Sequence, residues 1–278
     1  MNPPTNDEQR KLWNSSSAYA WIDLQESLDQ MFKPLSDLLV EATATESVRS
    51  VLDVGCGTGG TTLALARRLG TEGSCVGIDI SEPLIATARS RADRESTPAK
   101  FIHADAATYA FEPASFDALI SRFGVMFFDD PIRAFANLRR AARDGAEFRF
   151  IAWRDAVENP FMTTAERAAV GLLPNIPPRV PDAPGQFAFA DRRRVSSILE
   201  SAGWAHVDVQ PIDVTCTAPE RDLDRYFTQM GPLGRILPQA DEATRLQVIQ
   251  TVRAAFASYV YGAEVRFTAA CWFVRARR

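Results

Sequence analysis

Three glycines at alternate positions, Gly55, Gly57 and Gly59, follow a short apolar run that contains one carboxylate, Asp53. Glycine has no Cβ atom, so it adopts positive φ angles and lets a ligand approach the backbone closely. A helix that begins after such a turn points free N–H groups at that ligand. Because a buried carboxylate needs a partner, Asp53 helps to decide which ligand binds. The chemistry predicted here is binding of an adenosine-containing cofactor.

The glycine turn by itself fits two kinds of cofactor. Gly55, Gly57 and Gly60 also satisfy the G-x-G-x-x-G pattern, so an NAD-dependent oxidoreductase is one alternative. The pyrophosphate of NAD is anionic, and a carboxylate beneath it, Asp53, would repel it. The same carboxylate would attract a ligand that carries an ammonium or sulfonium group.

Two further acidic residues follow later apolar runs. Asp79 lies near the end of the run 75–80, where a carboxylate accepts hydrogen bonds from ribose hydroxyls. Asp105 follows the run 99–103, where it could accept the adenine amino group. Together with Asp53, these positions favour an adenosine ligand with a cationic tail over NAD.

The series Asp53-x-Gly55-x-Gly57-x-Gly59, with Asp79 and Ala104-Asp105-Ala106, resembles the motifs of class I S-adenosylmethionine (SAM) methyltransferases. It is most similar to their UbiE-like small-molecule group, which acts in ubiquinone and menaquinone biosynthesis. The resemblance covers about residues 48–155 and is much weaker elsewhere.

The resemblance implies a role for each cofactor-binding position. The glycine turn with Cys56 would lie against the methionine part of SAM, and Asp53 would support the turn and the ammonium group. Asp79 would bind the ribose hydroxyls and Asp105 the adenine amino group. The adenine ring would lie between Ile80 and Ala106.

The ends of the fourth and fifth predicted strands are the next candidates, because ligands of open α/β sheets bind beyond the carboxyl ends of strands. Ser121 and Phe123 are expected at the methionine end of the cofactor. Trp13 of the N-terminal helix could face the sulfonium through a cation–π contact, although packing against the core explains it equally well. The residues predicted to reach the acceptor are Tyr19, Arg122, Phe127, Trp153 and Arg154.

The resemblance implies transfer of a methyl group from SAM, with S-adenosylhomocysteine (SAH) as the product. The expected acceptor is an O or C nucleophile of a small, partly apolar molecule such as a phenol, a quinone precursor or another secondary metabolite. The two histidines, His103 and His206, are not expected to act as bases, so no catalytic residue is predicted. Proximity and desolvation are then the main contributions to catalysis. Because no base is evident, a non-catalytic SAM-binding protein is a second alternative.

Strands and helices are predicted to alternate along the chain, which indicates a doubly wound parallel sheet. The resemblance adds a Rossmann-like seven-stranded order, 3-2-1-4-5-7-6, with the last strand antiparallel. Strands are expected at 50–54, 75–80, 100–103, 116–121, 146–153, 204–211 and 264–274, and helices at 60–69, 82–92 and 131–142.

The chain divides into four predicted parts. They are an N-terminal helical segment or lid (1–46), a SAM-binding core (47–155), a cap insertion (156–190), and a C-terminal part of the core (191–278) with a helical insertion at 214–262. Residues 1–10 are expected to be disordered, and Pro34 is expected to interrupt or begin a helical segment. Long connections are usually functional, so both insertions are predicted to cover the acceptor pocket; a dimer interface is the alternative.

Composition excludes several classes of partner. The formal net charge of −4 argues against binding to nucleic acid, which needs clustered Lys and Arg. The four cysteines lack the spacing of metal ligands, so no metal is predicted. No apolar run reaches the length of a membrane span. We therefore expect a cytoplasmic protein with a small-molecule substrate, as a monomer or a homodimer.

Overall fold

The computed structural model describes residues 6–180 and 182–278, and within these ranges eight strands form one mixed sheet. The strands run in the order β3-β2-β1-β4-β5-β8-β6, and the two-residue β7 pairs with β8. Strands β1 to β5 are parallel, whereas β8 is antiparallel to both of its neighbours. Their bounds are β1 (Ser50–Val54), β2 (Ser74–Asp79), β3 (Lys100–His103), β4 (Phe116–Arg122), β5 (Ala142–Trp153), β6 (Ala205–Pro219), β7 (Val260–Tyr261) and β8 (Glu264–Arg277).

This order confirms the predicted topology, because the short β7 only shifts the number of the last strand. The predicted Rossmann-like, doubly wound sheet is likewise confirmed. The described helices are α1 (Asp7–Trp13), α2 (Ser16–Asp23), α3 (Gln25–Thr43), α4 (Gly60–Leu69), α5 (Glu82–Glu95), α6 (Pro131–Ala141), α7 (Pro160–Ala169), α8 (Arg192–Ser201), α9 (Leu223–Gln229), α10 (Gly231–Ile236) and α11 (Glu242–Ala255).

Local sequence explains where the core helices begin. The Ser81 hydroxyl accepts a hydrogen bond from Leu84 N (3.4 Å) at the start of α5. The Asp130 carboxylate accepts one from Arg133 N (3.0 Å) at the start of α6, where Pro131 is the first residue. Side-chain oxygens that cap free N–H groups, followed by an early proline, are strong signals of a helix N-terminus.

Helix α3 runs through Pro34, so the predicted interruption there is wrong. A proline inside a helix costs about 3 kcal/mol or more, because it removes a hydrogen bond and crowds the preceding turn. Helix α3 buries a full apolar stripe, and each buried large side chain contributes about 1.5–3 kcal/mol. Burial therefore outweighs the cost of the proline. The stripe consists of Leu28, Met31, Phe32, Leu35 and Leu39.

The structure also corrects three boundaries. Strands β6 and β8 pair without a break in register from Asp208 to Pro219, so the helical insertion between them spans 220–263 and not 214–262. Strand β5 begins at Ala142, four residues earlier than predicted. The predicted disorder of residues 1–10 is wrong for Asp7 onwards, where α1 begins, while residues 1–5 lie outside the described residues.

The two insertions pack against each other and form one cap. Helix α7, from the first insertion, packs on α10 and α11 of the second. At their junction the Phe161 ring stacks on Phe267 of β8, with centroids 3.9 Å apart, and meets the edge of Phe256 at 5.1 Å. Within the described ranges, no helix has the length and apolar character that a membrane span requires.

Candidate functional site

One cavity of about 850 Å³ lies between the carboxyl ends of the central strands and the cap. Its wall on the sheet side comes from the ends of β1, β2, β4 and β5 and from the turns that follow them. Its opposite wall comes from α7, the segments 177–180 and 182–191, and helices α9 and α10. We refer to these two walls as the cofactor side and the cap side.

The glycine turn after β1 forms part of the cofactor side. Gly55, Gly57 and Gly59 have φ angles of 68°, 55° and 83°, a region that side chains other than glycine rarely adopt. A Cβ atom on Gly55 would lie 2.6 Å from the backbone of Gly124, so these two glycines let the ends of β1 and β4 touch. A Cβ on Gly57 would meet only Trp21 at 3.9 Å, so this glycine leaves the cavity open.

Asp53 lies under this turn with only 1% of its surface exposed. Its Oδ2 accepts a hydrogen bond of 2.6 Å from the Thr62 hydroxyl in α4. Burial raises the pKa of the Asp53 carboxyl to about 6, against the opposing effects of Thr62 and the Arg122 charge. Thr62 is therefore one partner of the buried Asp53 carboxylate. The other oxygen, Oδ1, is left for a cationic ligand in the cavity.

Asp79 holds the glycine turn in place at the end of β2. Its Oδ2 accepts a hydrogen bond from Gly57 N (2.8 Å), and its Oδ1 accepts one from Ser81 N (2.9 Å). Burial raises the pKa of this carboxyl, and these backbone hydrogen bonds oppose the rise. Each carboxylate oxygen has about two acceptor sites, so both oxygens can still accept hydroxyl groups from the cavity.

Helix α1 is tied over the cofactor side by an asparagine at each end. Asn6 Nδ2 donates to Asp105 Oδ1 (2.8 Å), and Asn6 Oδ1 accepts from Asp129 N (2.9 Å). Asn14 Nδ2 donates to Ile80 O (3.1 Å), and its Oδ1 accepts from the backbone N–H at the start of α5 (2.9 Å). The segment therefore closes over the region predicted to bind adenine.

Aromatic residues line the cavity next to this region. The Trp13 ring meets the edge of Phe127 at 5.2 Å and that of Trp21 at 6.2 Å. Phe123 and Trp153 stack with centroids 4.6 Å apart and planes 10° from parallel, and Phe32 packs against both. These rings form an apolar wall around the point where the predicted methionine end would lie.

Phe123 is held in an unusual backbone conformation, with φ at 67°. For a residue other than glycine this conformation costs about 1–3 kcal/mol, and such residues cluster at functional sites. A hydrogen bond from Phe123 N to Ile151 O (3.0 Å) and the stack on Trp153 fix it. The ring is thereby turned into the cavity immediately after β4.

Arg122 and Ser121, just before Phe123, differ in their surroundings. Arg122 lines the cavity, donates to Ser36 Oγ (2.8 Å) and lies over the Phe32 ring at 5.6 Å. Burial lowers the pKa of its guanidinium. The Ser121 hydroxyl instead donates to Val54 O (2.7 Å) and accepts from Gly124 N (3.2 Å), so it joins the ends of β1 and β4.

Most of the predicted site residues line the cavity, and four do not. Tyr19 is 59% exposed on the surface of α2. Arg154 pairs with Glu158 and Asp213 outside the cavity. Gly59 packs against Phe101, and Ser121 is fully buried. The predicted residues in the lining are Trp13, Asp53, Gly55, Cys56, Gly57, Asp79, Ile80, Asp105, Ala106, Arg122, Phe123, Phe127 and Trp153.

Sequence reasoning missed several residues of the site. Gly124 could have been found, because a glycine directly after a strand signals a close backbone approach. Arg91 could not, since it is one arginine among many. It donates to Thr58 O (2.8 Å) in the glycine turn and to Asp29 Oδ2 (2.7 Å) in α3, and so joins the two segments. Neither His103 nor His206 lies in the described lining.

The chain is similar in sequence to known methyltransferases. Residues 51–145 match the family described as a methyltransferase domain. The chain is 27% identical to nocamycin O-methyltransferase of Saccharothrix syringae, over 69% of this chain and 72% of that protein. It is 23% identical to the ubiquinone/menaquinone biosynthesis C-methyltransferase UbiE of Idiomarina loihiensis, over 62% and 72%.

Residues 51–145 are a methyltransferase domain, and the chain as a whole is similar to SAM-dependent methyltransferases. Two other curated relatives are matched over only 42% and 60% of their own length. The fold of the YcgJ protein of Bacillus subtilis is similar, with a TM-score of 0.57 and 17% identity over 87% of this chain and 97% of that one. The methyltransferase domain contains the glycine turn and all three acidic residues of the cofactor side, and the cap lies outside the match.

Proposed function

We propose that this methyltransferase transfers the methyl group of SAM to an O or C nucleophile of a small, partly apolar acceptor and releases SAH. The observation that supports this proposal most directly is the continuity of one cavity from Asp79 and the glycine turn to the apolar cap. Relatives named as O- and C-methyltransferases agree with both kinds of nucleophile.

The residues of the cofactor side suit SAM chemically. The carboxylates of Asp79 and Asp105 accept hydrogen bonds, and the ribose hydroxyls and the adenine amino group donate them. Ile80 and Ala106 offer apolar contacts to the two faces of the adenine ring. Asp53 and the glycine turn would hold the methionine part, where a negative charge favours the ammonium group.

The chain contributes alignment and exclusion of water. SAM supplies the activated methyl group on its sulfonium, so the protein needs to hold the nucleophile in line with it. The stacked Phe123 and Trp153, with Trp13 and Phe127, would exclude water from this point and favour the positive charge by cation–π attraction. We propose no general base, because neither histidine lies in the described lining.

Calorimetry and a methyl-transfer assay test the proposal together. SAM and SAH should bind to the purified protein, and NAD should not. SAH should then form with at least one acceptor from a panel of phenols, quinols, amines and thiols. Binding of NAD alone would overturn the proposal in favour of an oxidoreductase. Binding of SAM without transfer to any compound of the panel would favour a non-catalytic SAM-binding protein.

Four predictions from the sequence accompany this proposal. We expect the enzyme to belong among the SAM-dependent methyltransferases of EC 2.1.1 and to act on small molecules rather than nucleic acid, in keeping with its net charge of −4. Cytoplasmic location stays a prediction, as does a homodimer, which light scattering of the purified protein would test.

A further inference from the structure

The cap side of the cavity contains three charged side chains that are not among the residues assigned to the cofactor. Glu166 lies on α7, Arg179 lies in the segment that follows, and Arg235 lies on α10. All three line the cavity, and α7 packs against α10. Each comes from a cap insertion and none from the methyltransferase domain match.

Arg179 and Glu166 already neutralise each other. Arg179 Nη2 donates to Glu166 Oε1 at 2.7 Å, and the glutamate side chain is 16% exposed. The same guanidinium lies over the ring of Phe187 at 4.6 Å, which fixes its orientation. Burial raises the pKa of Glu166, while Arg179 and Arg235 oppose that rise.

Arg235 has no such partner. Within the described residues its side chain makes no hydrogen bond and no ion pair. The backbone just before it is tightly packed, because a Cβ atom on Gly234 would overlap the backbone of Gln229 at the end of α9. Arg235 itself is exposed where it lines the cavity. Arginine stays charged in proteins and binds carboxylates through two parallel hydrogen bonds. An exposed arginine without a partner in a cavity wall can therefore bind an anionic group that enters the cavity.

The other acidic residues of this wall are bonded to groups other than Arg235. The Asp155 carboxylate accepts from Val157 N (2.8 Å), and the Asp191 carboxylate accepts from Arg193 N (2.8 Å) at the start of α8. Asp182 pairs with Arg194 at 3.3 Å. Within the described residues none of these carboxylates forms an ion pair with Arg235, so its guanidinium is available to an anionic group in the cavity.

That charge stands beside apolar surface. Phe187, Met230 and Leu233 line the same wall. An acceptor that fills the cap side would therefore meet an apolar surface with one cationic group in it. A ligand with an apolar body and a single negative group matches this surface best.

We infer that the methyl acceptor bears a carboxylate that binds Arg235, with Arg179 as the second donor of the site. The inference rests on the proposed function, since it names the acceptor class of the same cavity. The incoming carboxylate would share Arg179 with Glu166, and the nucleophile would lie elsewhere on the acceptor. The site therefore selects aromatic or alicyclic acids over their neutral analogues.

Calorimetry with a matched pair of probes tests this inference in the SAH-saturated enzyme. The probes are 2-naphthoate and 2-naphthamide, which differ in charge but hardly in shape. A charge-assisted bidentate contact should make naphthoate bind roughly 10- to 100-fold more tightly. Arg235→Met should remove this preference, and Arg235→Lys should retain part of it. The affinity for naphthamide should stay within about twofold, because no charge is involved.

A second variant should act in the opposite direction. Glu166→Gln removes the carboxylate that competes for Arg179, so naphthoate should bind several-fold more tightly. Arg245→Met is the matched control, because Arg245 is an exposed arginine of α11 outside the cavity lining. Its affinities for both probes should equal those of the unmodified protein. SAH affinity and the thermal midpoint report whether each variant folds.

Three outcomes would overturn the inference: equal binding of the two probes, binding of neither, or equal weakening of both by Arg235→Met. Weaker naphthoate binding in Glu166→Gln would also count against it. In each case SAH binding and methyl transfer to neutral phenols would leave the proposed function standing. Failure of the unmodified protein to bind SAH would instead overturn the proposed function.

Discussion

The two sides of the cavity are built by different means. The cofactor side is made mostly of backbone, in turns that follow neighbouring parallel strands. Asp79 is hydrogen-bonded to the glycine turn, and Asp53 is hydrogen-bonded to Thr62 of α4 beneath it. The cap side is made of side chains from helices that lie far apart in the sequence, such as α7 and α10. The first arrangement fixes one ligand with little dependence on side-chain identity. The second can change its acceptor through single substitutions such as those at Arg235.

The largest expected effect is a loss of stability when the cap is disrupted, with little change in cofactor binding. Phe161→Ala removes a ring that is 2% exposed and stacked on Phe267, so the free energy of unfolding should fall by about 3–5 kcal/mol. Because the cofactor side keeps its contacts, the SAH dissociation constant at a temperature where the variant is folded should change by less than about threefold. Denaturant unfolding and calorimetry measure the two quantities.

Val157→Ala is the control for that experiment, since Val157 is 86% exposed in the same insertion. Its free energy of unfolding should stay within about 0.5 kcal/mol of the unmodified value. A loss of SAH affinity as large as the loss of stability in Phe161→Ala would show that the two sides do not act independently.

The next effect concerns the cofactor side alone. Asp79→Ala removes the acceptors for the ribose hydroxyls and also frees Gly57 N, so SAH should bind roughly 100-fold more weakly or worse. Asp93→Ala, which removes an exposed carboxylate of α5, should leave the affinity unchanged. Calorimetry with SAH decides the question, and an unaltered dissociation constant in Asp79→Ala would refute the role given to this residue.

The same contrast explains what could be predicted from the sequence. The cofactor side is encoded locally: a strand, a glycine turn and a helix follow one another, so the bounds of β1 and α4 are those predicted. The three acidic residues near the ends of β1, β2 and β3 follow the same local logic. Sequence patterns of this kind need only the few residues that surround them.

The cap side depends on contacts that no local pattern encodes. Glu166 and Arg179 lie on separate segments, and Arg235 lies more than fifty residues further along, so nothing in their spacing joins them. The outer half of the β6–β8 pairing was missed although residues 213–218 alternate polar and apolar, which is the pattern of a half-buried strand. The interruption predicted at Pro34 is wrong because burial of the apolar stripe of α3 outweighs the cost of a proline inside the helix.

Cofactor binding should also depend on pH, through the Asp53 carboxyl. The pKa of Asp53 is raised by burial from 3.8 to about 6, so the unliganded protein takes up a proton there as the pH falls through about 6. A ligand with an ammonium group favours the ionised form, so the affinity for SAH should be greatest above pH 6. Below that value it should fall by up to about tenfold per pH unit.

The contribution of Asp53 to folding stability changes with pH in the opposite direction to the affinity for SAH. The folded protein binds this proton more tightly than the unfolded chain, so Asp53 contributes stability below about pH 4 that is lost as the pH rises to about 6. Asp53→Asn should flatten both profiles between pH 5 and 7. Calorimetry and thermal unfolding across that range measure them, and an SAH affinity that stays constant from pH 5 to 7 in the unmodified protein would contradict this account.

The smallest effect concerns helix α1, which covers the cofactor side and contributes Trp13 to the cavity lining. Asn14→Ala removes the hydrogen bonds to Ile80 O and to the start of α5, and each such bond contributes about 0.5–1.5 kcal/mol. The helix should open more often, so SAH should dissociate roughly 3- to 10-fold faster. Stopped-flow fluorescence can follow the release, because Trp13 lies in the cavity.

Asn6→Ala sharpens this prediction, because Asn6 bonds to the carboxylate proposed to bind adenine. Its removal should open α1 in the same way but should also free Asp105 Oδ1 for the adenine amino group. The dissociation rate should therefore rise less than in Asn14→Ala. Ser15→Ala is the control, since the Ser15 hydroxyl bonds only to Leu12 O in the same segment and its loss should leave the rate unchanged. Equal rates in all three variants and the unmodified protein would mean that α1 does not control release of the product, and that the cofactor side is closed by its own turns alone.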